Sequence, residues 1–416
     1  MKEIALIEVA SQMSGVEFST LYLAQSLDRA RWLPLVVCPE EGDLPQRCRA
    51  AGIPVSIVPR VRFFSTSFRL GGRVVPNPFA LIFNVVGMIV SAFRLTRFLR
   101  SRRPALVVTK GLLAHFYGGL AACWAKIPCV WHVQDRVSDR VGPWFPWIIS
   151  LSAKWLARFC IADADSIARQ LSAFVPSERV SVIWNGVDIH EFSPSVDGSR
   201  VRAEWQAGAG DLLIGVIGRL VFWKGQHILI RAFGRIAEQV PQARVVIVGS
   251  SLFDTDTYAD QLKAETRQLG LENRVTFTGF RPDLPQVLAA LDIVAHTALE
   301  KDSTPLAIVS AMAAGKLIIC TRVDGTAQLF DDGVDGLLIP PGDVDALAEK
   351  LAGLLRDESL RRRLGQAARA KAERELSVEQ YTRQCERVFE SVLANHKSKI
   401  HTLTKSKGEI EDSLRP

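Results

Sequence analysis

Short apolar segments rich in β-branched residues alternate along this chain with stretches of helical periodicity. Segments that are apolar on both faces predict strands buried in parallel sheets. Strands that alternate with helices predict a doubly wound α/β fold. The predicted strands lie at 4–9, 34–38, 105–109, 129–133, 212–218, 244–249, 274–279, 292–297 and 317–321.

The alternation is interrupted at 184–199, WNGVDIHEFSPSVDGS, where Asn-Gly, Pro and Gly-Ser indicate a turn and a linker. We therefore predict two Rossmann-like domains, over 1–190 and 191–375, with ligands bound at the carboxyl ends of the strands. We expect 376–396 to form a helix that packs back toward the first domain. The polar segment 397–416 is typical of a disordered tail.

Composition narrows the class of protein. Hydrophobic residues make up 48% of the chain and charged residues 23%, as in packed globular proteins. The net charge of +7 favours anionic partners: phosphates, an acidic membrane surface or nucleic acid. The chain has no nucleic-acid reader motif, so we expect no nucleic-acid partner. The 7 cysteines form no C-x-x-C pair, which is typical of reduced thiols in the cytoplasm and argues against zinc. The apolar N-terminal run lacks a cleavage site and is predicted to be a strand, not a signal peptide.

Two apolar segments in the first half bear on localisation. The first, 77–103, is apolar from Phe79 to Phe93 and then rich in arginine. This run is shorter than the roughly 20 residues of a spanning helix, so it is either a core or surface helix or an in-plane helix on an anionic leaflet. The second, 141–159, combines tryptophans with Lys154 and Arg158, as at a headgroup interface. Together they favour peripheral membrane association.

Two segments of the second half carry candidate chemistry. In GVIGRLVFWKGQ (215–226), Arg219 and Lys224 flank a turn between a strand and a helix. Bases beside a helix N-terminus form an anion site, although two solvated surface bases would have the same pattern.

The other segment is EKDSTPLAIVSAMAAGK (300–316). Ser303 or Thr304 is predicted to cap a helix that has Pro305 at its first position and ends at Gly315. Asp302 either caps this helix or accepts hydrogen bonds from sugar hydroxyls. Asp254 and Asp256 would be a weak candidate for a metal-binding pair in a loop.

These segments belong to a larger ordered set. GRLVFWKGQ, WNGVD (184–188), RVTFTGFRPDLPQVLAALDIV (274–294), DSTPLAIVSAMAAGK and DDGVDGLLIPPGD (331–343) together resemble the retaining family 4 glycosyltransferases of the GT-B fold. In the first domain, MSGVEFSTLYLAQSL (13–27) resembles the family's glycine loop, and WHVQD (131–135) resembles its histidine-containing strand end.

The resemblance implies a nucleotide-diphosphate sugar donor bound by the second domain, and an acceptor bound by the first. It implies catalytic roles for His132, Arg219, Lys224 and Asp302, with His132 near the reacting sugar. It also implies that Arg281 lies near the nucleotide base. Arg219 and Lys224 would stabilise charge on the departing diphosphate, so that no metal cofactor is required. No protein nucleophile is implied, in contrast to retaining glycosidases. The implied donor-binding residues are Gly15, Gly218, Arg219, Lys224, Arg281, Asp302, Ser303, Thr304, Pro305, Leu306 and Ser310.

The chain departs from the family pattern at two positions. The family has two acidic residues eight positions apart, where this chain has Asp302 and Ser310. Gln328 also replaces a residue that is usually acidic. In the family, the second acidic residue would bind the ribose hydroxyls of the donor, and here Ser310 stands in its place. A hydrogen bond to a charged group contributes about 1.5–3 kcal/mol, so loss of this carboxylate would weaken donor binding roughly 10- to 150-fold.

Three interpretations remain open: an active glycosyltransferase, a non-catalytic relative that scaffolds a membrane assembly pathway, and another GT-B enzyme such as an epimerase or phosphorylase. The retained Arg219, Lys224, Asp302 and His132 favour the first. The apolar and basic segments favour a lipid-linked or membrane-proximal glycan acceptor. We expect a cytoplasmic protein, peripheral at the inner face of the membrane.

Overall fold

The computed structural model of the chain describes residues 1–65, 67–70, 73–134, 144–251, 257–300 and 302–413, and of 67–70, 73–76 and 397–413 the backbone alone. It divides into two compact units. The first contains Met1–Asp163, Ile167–Ile183 and Thr382–Pro416, and the second contains Ala164–Ser166 and Trp184–Tyr381. The main division therefore falls a few residues before the boundary predicted at residue 190.

The first unit is built on a parallel sheet. Its strands are β1 (Lys2–Ile7), β2 (Trp32–Cys38), β3 (Val55–Ile57), β4 (Ser67–Leu70), β5 (Arg73–Pro76), β6 (Leu106–Lys110), β7 (Cys129–Val133), β8 (Phe159–Ala162) and β9 (Val180–Val182). Its helices are α1 (Gly15–Ser26), α2 (Asp43–Ala50), α3 (Pro78–Arg102), α4 (Leu112–Ala125), α5 (Phe145–Leu156) and α6 (Asp165–Leu171), of which Asp165 and Ser166 belong to the second unit. The sheet order is β3-β2-β1-β6-β7-β8-β9, and β4 and β5 form a separate antiparallel pair.

The second unit repeats this plan. Its strands are β10 (Leu212–Ile217), β11 (Ala243–Val248), β12 (Val275–Gly279), β13 (Ile293–His296), β14 (Leu317–Thr321) and β15 (Leu337–Ile339). Its helices are α7 (Ser199–Glu204), α8 (Gln226–Ile236), α9 (Thr257–Gln268), α10 (Leu284–Ala290), α11 (Leu306–Ala313), α12 (Thr326–Leu329), α13 (Val344–Arg356) and α14 (Glu358–Glu375). The sheet order is β12-β11-β10-β13-β14-β15, with every pairing parallel.

The order of both sheets explains where ligands can bind. In each sheet, successive strands are added first toward one edge and then toward the other. This change occurs between β1 and β6 in the first unit and between β10 and β13 in the second. At such a switch point the loops that follow two adjacent strands diverge, and the crevice between them receives ligands. The predicted α/β class with two Rossmann-like units is confirmed.

A final helix, α15 (Val378–Ser413), belongs to the first unit from Thr382 onward. Its Glu386 carboxylate accepts a hydrogen bond from the backbone N–H of Asp28 at 2.8 Å, and Phe389 meets the Trp32 ring edge to face. The backbone of 397–413 continues the helix, where the sequence favoured a disordered tail. This segment contains no proline, and its four lysines and two glutamates are good helix formers.

Helix α3 is longer than the apolar run that predicted it. It extends from Pro78 to Arg102, and it is long and apolar enough to cross a membrane by length and composition alone. A narrow face of small residues, including Ala80, Gly87 and Ser91, is buried. The opposite face is exposed and apolar, with exposed side chains at Phe79, Leu81, Ile82, Phe83, Val85, Val86, Ile89 and Phe93.

Helix α5 repeats this arrangement. Its Ile149 and Ala153 are buried in the core of the first unit, while its other face is exposed. The exposed stripe, which begins just before the helix, consists of Trp144, Trp147, Ile148, Leu151 and Trp155. Because α4 packs against both α3 and α5, the three helices form one layer, which we call the apolar layer.

Candidate active site

The loop after β10 carries the two predicted phosphate-binding bases. It passes from Gly218 through Arg219 to a 3-10 turn at Phe222–Lys224, and Gly225 is then the N-cap residue of α8. The side-chain amide of Gln226 donates to the carbonyl of Arg219 at 2.8 Å and fixes the start of the loop to the helix. The Arg219 side chain is exposed, whereas that of Lys224 is only 14% exposed.

The loop after β13 is joined to the loop after β10 by hydrogen bonds. The Thr297 hydroxyl donates to the carbonyl of Gly225 at 2.8 Å, and the backbone N–H of Leu299 donates to the carbonyl of Trp223, also at 2.8 Å. These bonds fix Lys224 opposite the segment that ends at Asp302. The two residues that the sequence identified separately are therefore in one site.

Lys224 and Asp302 form an ion pair. The Lys224 ammonium donates to Oδ2 of Asp302, and Nε2 of His296 lies 2.9 Å from the same oxygen. Nε2 of His296 makes no hydrogen bond in the described part of the chain, so its contact with the carboxylate is electrostatic. Burial would raise the pKa of Asp302, but the positive charge of Lys224 and the contact with His296 hold that pKa well below its ordinary value. Asp302 is therefore ionised at neutral pH.

Helix α11 begins one position later than predicted. Pro305 occupies the N-cap position and Leu306 is the first helical residue, so neither Ser303 nor Thr304 caps the helix. Pro305 itself is extended, with φ −63° and ψ 119°, and the preceding carbonyl of Thr304 accepts a hydrogen bond from the side-chain amide of Asn185 at 3.2 Å. This bond gives the WNGVD segment a structural role in the second unit.

The C-terminal end of α11 follows the prediction. Gly315 has a φ of 67° just beyond the last turn, in the left-handed conformation that glycine favours. Ser310, at the position of the family's second acidic residue, is 2% exposed within the helix. The other departure, Gln328, accepts a hydrogen bond from the backbone N–H of Asp165 at 3.4 Å in the same unit, which its side-chain amide oxygen allows without a charge.

Arg281 is engaged by acidic neighbours. Its guanidinium donates to both carboxylate oxygens of Asp283, at 2.8 and 2.7 Å, and forms an ion pair with Glu204. These partners raise the pKa of Arg281 above its ordinary value and fix the turn after β12. The predicted position of Arg281 near the nucleotide base remains a prediction, and its side chain would have to exchange partners to read a base.

In the first unit, Gly15 begins α1, and Ser14 and Glu17 form a capping box in front of it. A Cβ at Gly15 would meet no atom within 4 Å, so the space beside it is open. His132 lies within β7 and is fully buried. Burial, together with the nearby positive charge of Lys110, lowers the pKa of His132 well below its ordinary value, so the imidazole is neutral at pH 7.

Sequence reasoning missed a buried polar cluster in the first unit. Glu8 directly follows β1, and Lys110 is the last residue of the adjacent strand β6. Both side chains are almost completely buried. The Lys110 ammonium donates to the Ser19 hydroxyl at 2.9 Å, and Thr20 donates to the Glu8 carboxylate. Burial lowers the pKa of Lys110 to about 8 although Glu8 opposes this shift. The available signal was a charged residue at the end of an otherwise apolar strand.

His296 was also missed, and the signal was similar: a histidine ends the apolar strand IVAH, six positions before Asp302. The described residues contain no group of three metal-ligating side chains. Asp254 and Asp256, the weak metal-binding candidate, lie outside the described residues, as does Asp135 of the WHVQD segment.

Comparisons with known proteins agree with this geometry. The family "Glycosyltransferase Family 4" matches residues 13–191, and "Glycosyl transferases group 1" matches residues 199–371. Among solved structures, the Anabaena protein HepE in complex with UDP-glucose aligns with a TM-score of 0.81 and 26% identity, over 94% of this chain and 100% of that chain.

Named relatives match over a smaller share of both chains. The Escherichia coli UDP-Gal:alpha-D-GlcNAc-diphosphoundecaprenol alpha-1,3-galactosyltransferase is 26% identical over 65% of this chain and 71% of its own. A GDP-mannose-dependent alpha-(1-6)-phosphatidylinositol monomannoside mannosyltransferase of Mycolicibacterium smegmatis is 31% identical over 49% of this chain and 54% of its own. The matches in both units, with the Lys224–Asp302 site, lead to one conclusion: the chain belongs to the group 1, family 4 glycosyltransferases with the GT-B fold, and it is an enzyme that uses a nucleotide-sugar donor.

Proposed function

We propose that this enzyme transfers a sugar, with retention of anomeric configuration, from a nucleotide diphosphate to a hydroxyl of a lipid-linked or membrane-proximal glycan. The observation that carries the proposal is the Lys224–Asp302 pair. It joins a base expected to bind phosphate to a carboxylate expected to bind the sugar, at the switch point of the second unit. A nucleotide sugar presents a diphosphate and a sugar side by side, which matches this pair of charges.

The residues have distinct roles in this mechanism. Arg219 and Lys224 stabilise the negative charge that develops on the diphosphate as its bond to the sugar breaks. Asp302 accepts hydrogen bonds from hydroxyls of the transferred sugar and so orients it. The bond from the anomeric carbon to the phosphate oxygen breaks, and the bond from that carbon to the acceptor oxygen forms on the same face. The acceptor proton passes to the departing phosphate oxygen.

No protein nucleophile has a role in this mechanism, and we propose that no metal cofactor is required. Two bases supply the positive charge that a divalent cation would supply. His132 is neutral at pH 7, so its predicted role at the reacting sugar would be hydrogen bonding. Transfer should therefore persist in EDTA, and loss of transfer that Mg²⁺ or Mn²⁺ restores would contradict the proposal.

The nucleotide base and the sugar of the donor can be identified by a direct binding screen. Thermal shift against UDP-, GDP-, ADP- and dTDP-sugars should reveal the donor, because a bound ligand raises the melting temperature. The UDP-glucose complex of HepE makes UDP-sugars the first candidates. NMR of the product should then give the anomeric configuration of the donor, and an inverted product would overturn the retaining mechanism.

The same assay separates an enzyme from a scaffold. Arg219→Ala and Lys224→Ala should each reduce transfer by two orders of magnitude or more, by analogy with the loss of about 10²–10³ on removal of one oxyanion donor. Arg363→Ala, which alters an exposed arginine of α14 in the same unit, is the matched control and should leave transfer unchanged. A chain that transfers no sugar from any tested donor would favour the scaffold alternative.

The apolar layer supports a membrane-proximal acceptor. The 25, 14 and 12 residues of α3, α4 and α5 contain no Asp or Glu. The exposed face of α3 changes from apolar to basic toward its C-terminal end, where Arg94, Arg97 and Arg100 are exposed. An exposed apolar face of this size, without carboxylates and bordered by arginines, matches an anionic bilayer: apolar side chains enter the acyl boundary and arginines meet phosphates.

This surface also fits the acceptors that the relatives' names give, an undecaprenol-linked sugar and a phosphatidylinositol mannoside. A peripheral enzyme that rests on the leaflet meets such acceptors where their sugars leave the headgroup plane. We propose attachment at the cytoplasmic face, since nucleotide sugars are made in the cytoplasm.

A further inference from the structure

His296 occupies an unusual place for a titratable side chain. It ends β13, pairs in register with Cys320 of β14, and has 4% of its side chain exposed. The charged groups that act on its imidazole are the Asp302 carboxylate, whose Oδ2 is 2.9 Å from Nε2, and the Lys224 ammonium. Cys320 is buried and has a pKa raised to about 12, so it is a neutral thiol.

The basic side chains of Lys224 and His296 contact the same carboxylate oxygen of Asp302. Among the described residues, the contacts of Lys224 and of His296 both fall on Oδ2. In the proposed function, Oδ1 is then the oxygen that accepts a hydrogen bond from a substrate hydroxyl. Asp302 is one methylene shorter than the glutamate of the family pattern, so the direction of its carboxylate depends on what holds Oδ2.

Donor binding changes this balance. A diphosphate near Lys224 competes with Asp302 for the same ammonium group, which cannot serve both fully. The Asp302 side chain is only 13% exposed, and a poorly solvated carboxylate that loses its cation costs several kcal/mol. A second group must therefore hold the carboxylate when the donor is bound.

We propose that His296 is this group: it positions Asp302 when Lys224 turns to the diphosphate, and it takes up a proton from solvent as the nucleotide sugar binds. This inference rests on the proposed donor site. The proton ends on the imidazole, which becomes a cation beside the Asp302 carboxylate. The site then keeps one positive charge for Asp302 and releases Lys224 for phosphate.

The direction of the pKa shifts agrees with this exchange. In the unliganded protein, burial lowers the pKa of His296, Asp302 opposes this shift, and the positive charge of Lys224 adds to it. When a diphosphate neutralises Lys224, the repulsion falls and Asp302 becomes more dependent on His296, so the pKa of His296 rises. Binding should then be tighter at lower pH. It should weaken by up to about tenfold per pH unit between the pKa of His296 in the free protein and its pKa in the complex, and level off above the latter.

The experiment is isothermal titration calorimetry of the nucleotide sugar identified by thermal shift, in buffers of different ionisation enthalpy near neutral pH. A sugar-capped diphosphate does not titrate in this range, so proton uptake reports on the protein. We expect uptake that approaches about one proton for the wild type and none for His296→Gln, whose affinity should also lose its pH dependence. His190→Gln, an exposed histidine of the same unit, is the matched control and should behave as the wild type.

Asp302→Asn provides a second variant if His296→Gln does not fold. Without the negative charge of the carboxylate, the protonated form of His296 is not stabilised, so donor binding should occur without proton uptake. Donor binding without proton uptake by the wild type, or unchanged uptake in either variant, would overturn the role of His296 and leave the proposed function intact. Failure of the wild type to bind any nucleotide sugar would overturn the proposed function itself.

Discussion

Gly225 and Thr297 are in direct backbone contact. A Cβ at Gly225 would stand 2.0 Å from the carbonyl oxygen of Thr297, and Gly225 has a φ of 68°. Two independent constraints therefore exclude a side chain at this position. The consequence is functional, because this approach is what brings Lys224 beside Asp302.

We predict that Gly225→Ala separates the two loops. A left-handed alanine costs about 1–2 kcal/mol, and the clash with the Thr297 carbonyl adds to it because backbone cannot turn aside as a side chain can. Donor affinity should fall at least tenfold, measured by thermal shift or calorimetry. Gly353→Ala is the control: it lies exposed within α13, a Cβ there meets nothing, and alanine should stabilise the helix by about 0.5–1 kcal/mol. Donor affinity that survives Gly225→Ala would mean that the loop contact is dispensable.

Ser310→Glu tests how the nucleotide is held. If the ribose lacks a carboxylate partner, glutamate should tighten donor binding by about 10- to 150-fold. Because Ser310 is 2% exposed, a longer side chain carries a packing cost, which Ser310→Gln measures at the same size without the charge. The informative quantity is therefore the ratio of the donor dissociation constants of the Ser310→Glu and Ser310→Gln variants. Equal constants would mean that the ribose is held by other groups.

The apolar layer predicts binding to anionic vesicles. In sedimentation with phosphatidylglycerol-containing liposomes at low salt, the wild type should pellet, and Trp147→Ser combined with Trp155→Ser should weaken binding at least about tenfold, because each tryptophan buries apolar area in the interface. Arg97→Glu should weaken it further and reduce its salt dependence. Val334→Ser, at an exposed apolar residue of the second unit, should have no effect. A wild type that stays in the supernatant would contradict the membrane proposal.

Stability should depend on pH through His115. This residue is buried on α4, shares a hydrogen bond with the Thr109 hydroxyl at 2.8 Å, and stacks on Trp131. Burial lowers its pKa from 6.5 to about 3, so the unfolded chain takes up a proton that the folded chain does not, and stability falls as pH drops below about 6.5. Between about pH 7.5 and pH 5 this linkage costs about 2 kcal/mol.

The variant His115→Gln should remove that share of the pH dependence. Its unfolding free energy is expected to be lower than that of the wild type at about pH 7.5, because packing on Trp131 is lost. From about pH 7.5 to pH 5, however, it should lose about 2 kcal/mol less. Urea unfolding at both pH values gives the comparison, and parallel curves for the two proteins would show that His115 does not contribute.

Several parts of the site could be predicted from short sequence segments, because their conformation depends on residues that are close in the chain. Arg219 and Lys224 flank a strand-to-helix turn, and Gly315 ends α11 in a left-handed conformation that glycine favours. The start of α11 was predicted one residue early, because whether Pro305 is extended or helical depends on tertiary contacts such as the bond from Asn185 to the carbonyl of Thr304. Local capping preferences cannot anticipate a bond between residues 119 positions apart.

The sequence by itself determined the alternation of strands and helices, the division into two units and the identity of the charged residues in the donor-binding segments, since these depend on periodicity and on residue type. Only the tertiary structure decided that Lys224, Asp302 and His296 share one carboxylate oxygen. It also decided that the apolar runs of α3 and α5 face outward on one layer rather than inward. The reason is that both depend on parallel strand order and helix packing, which bring together residues that are far apart in the chain.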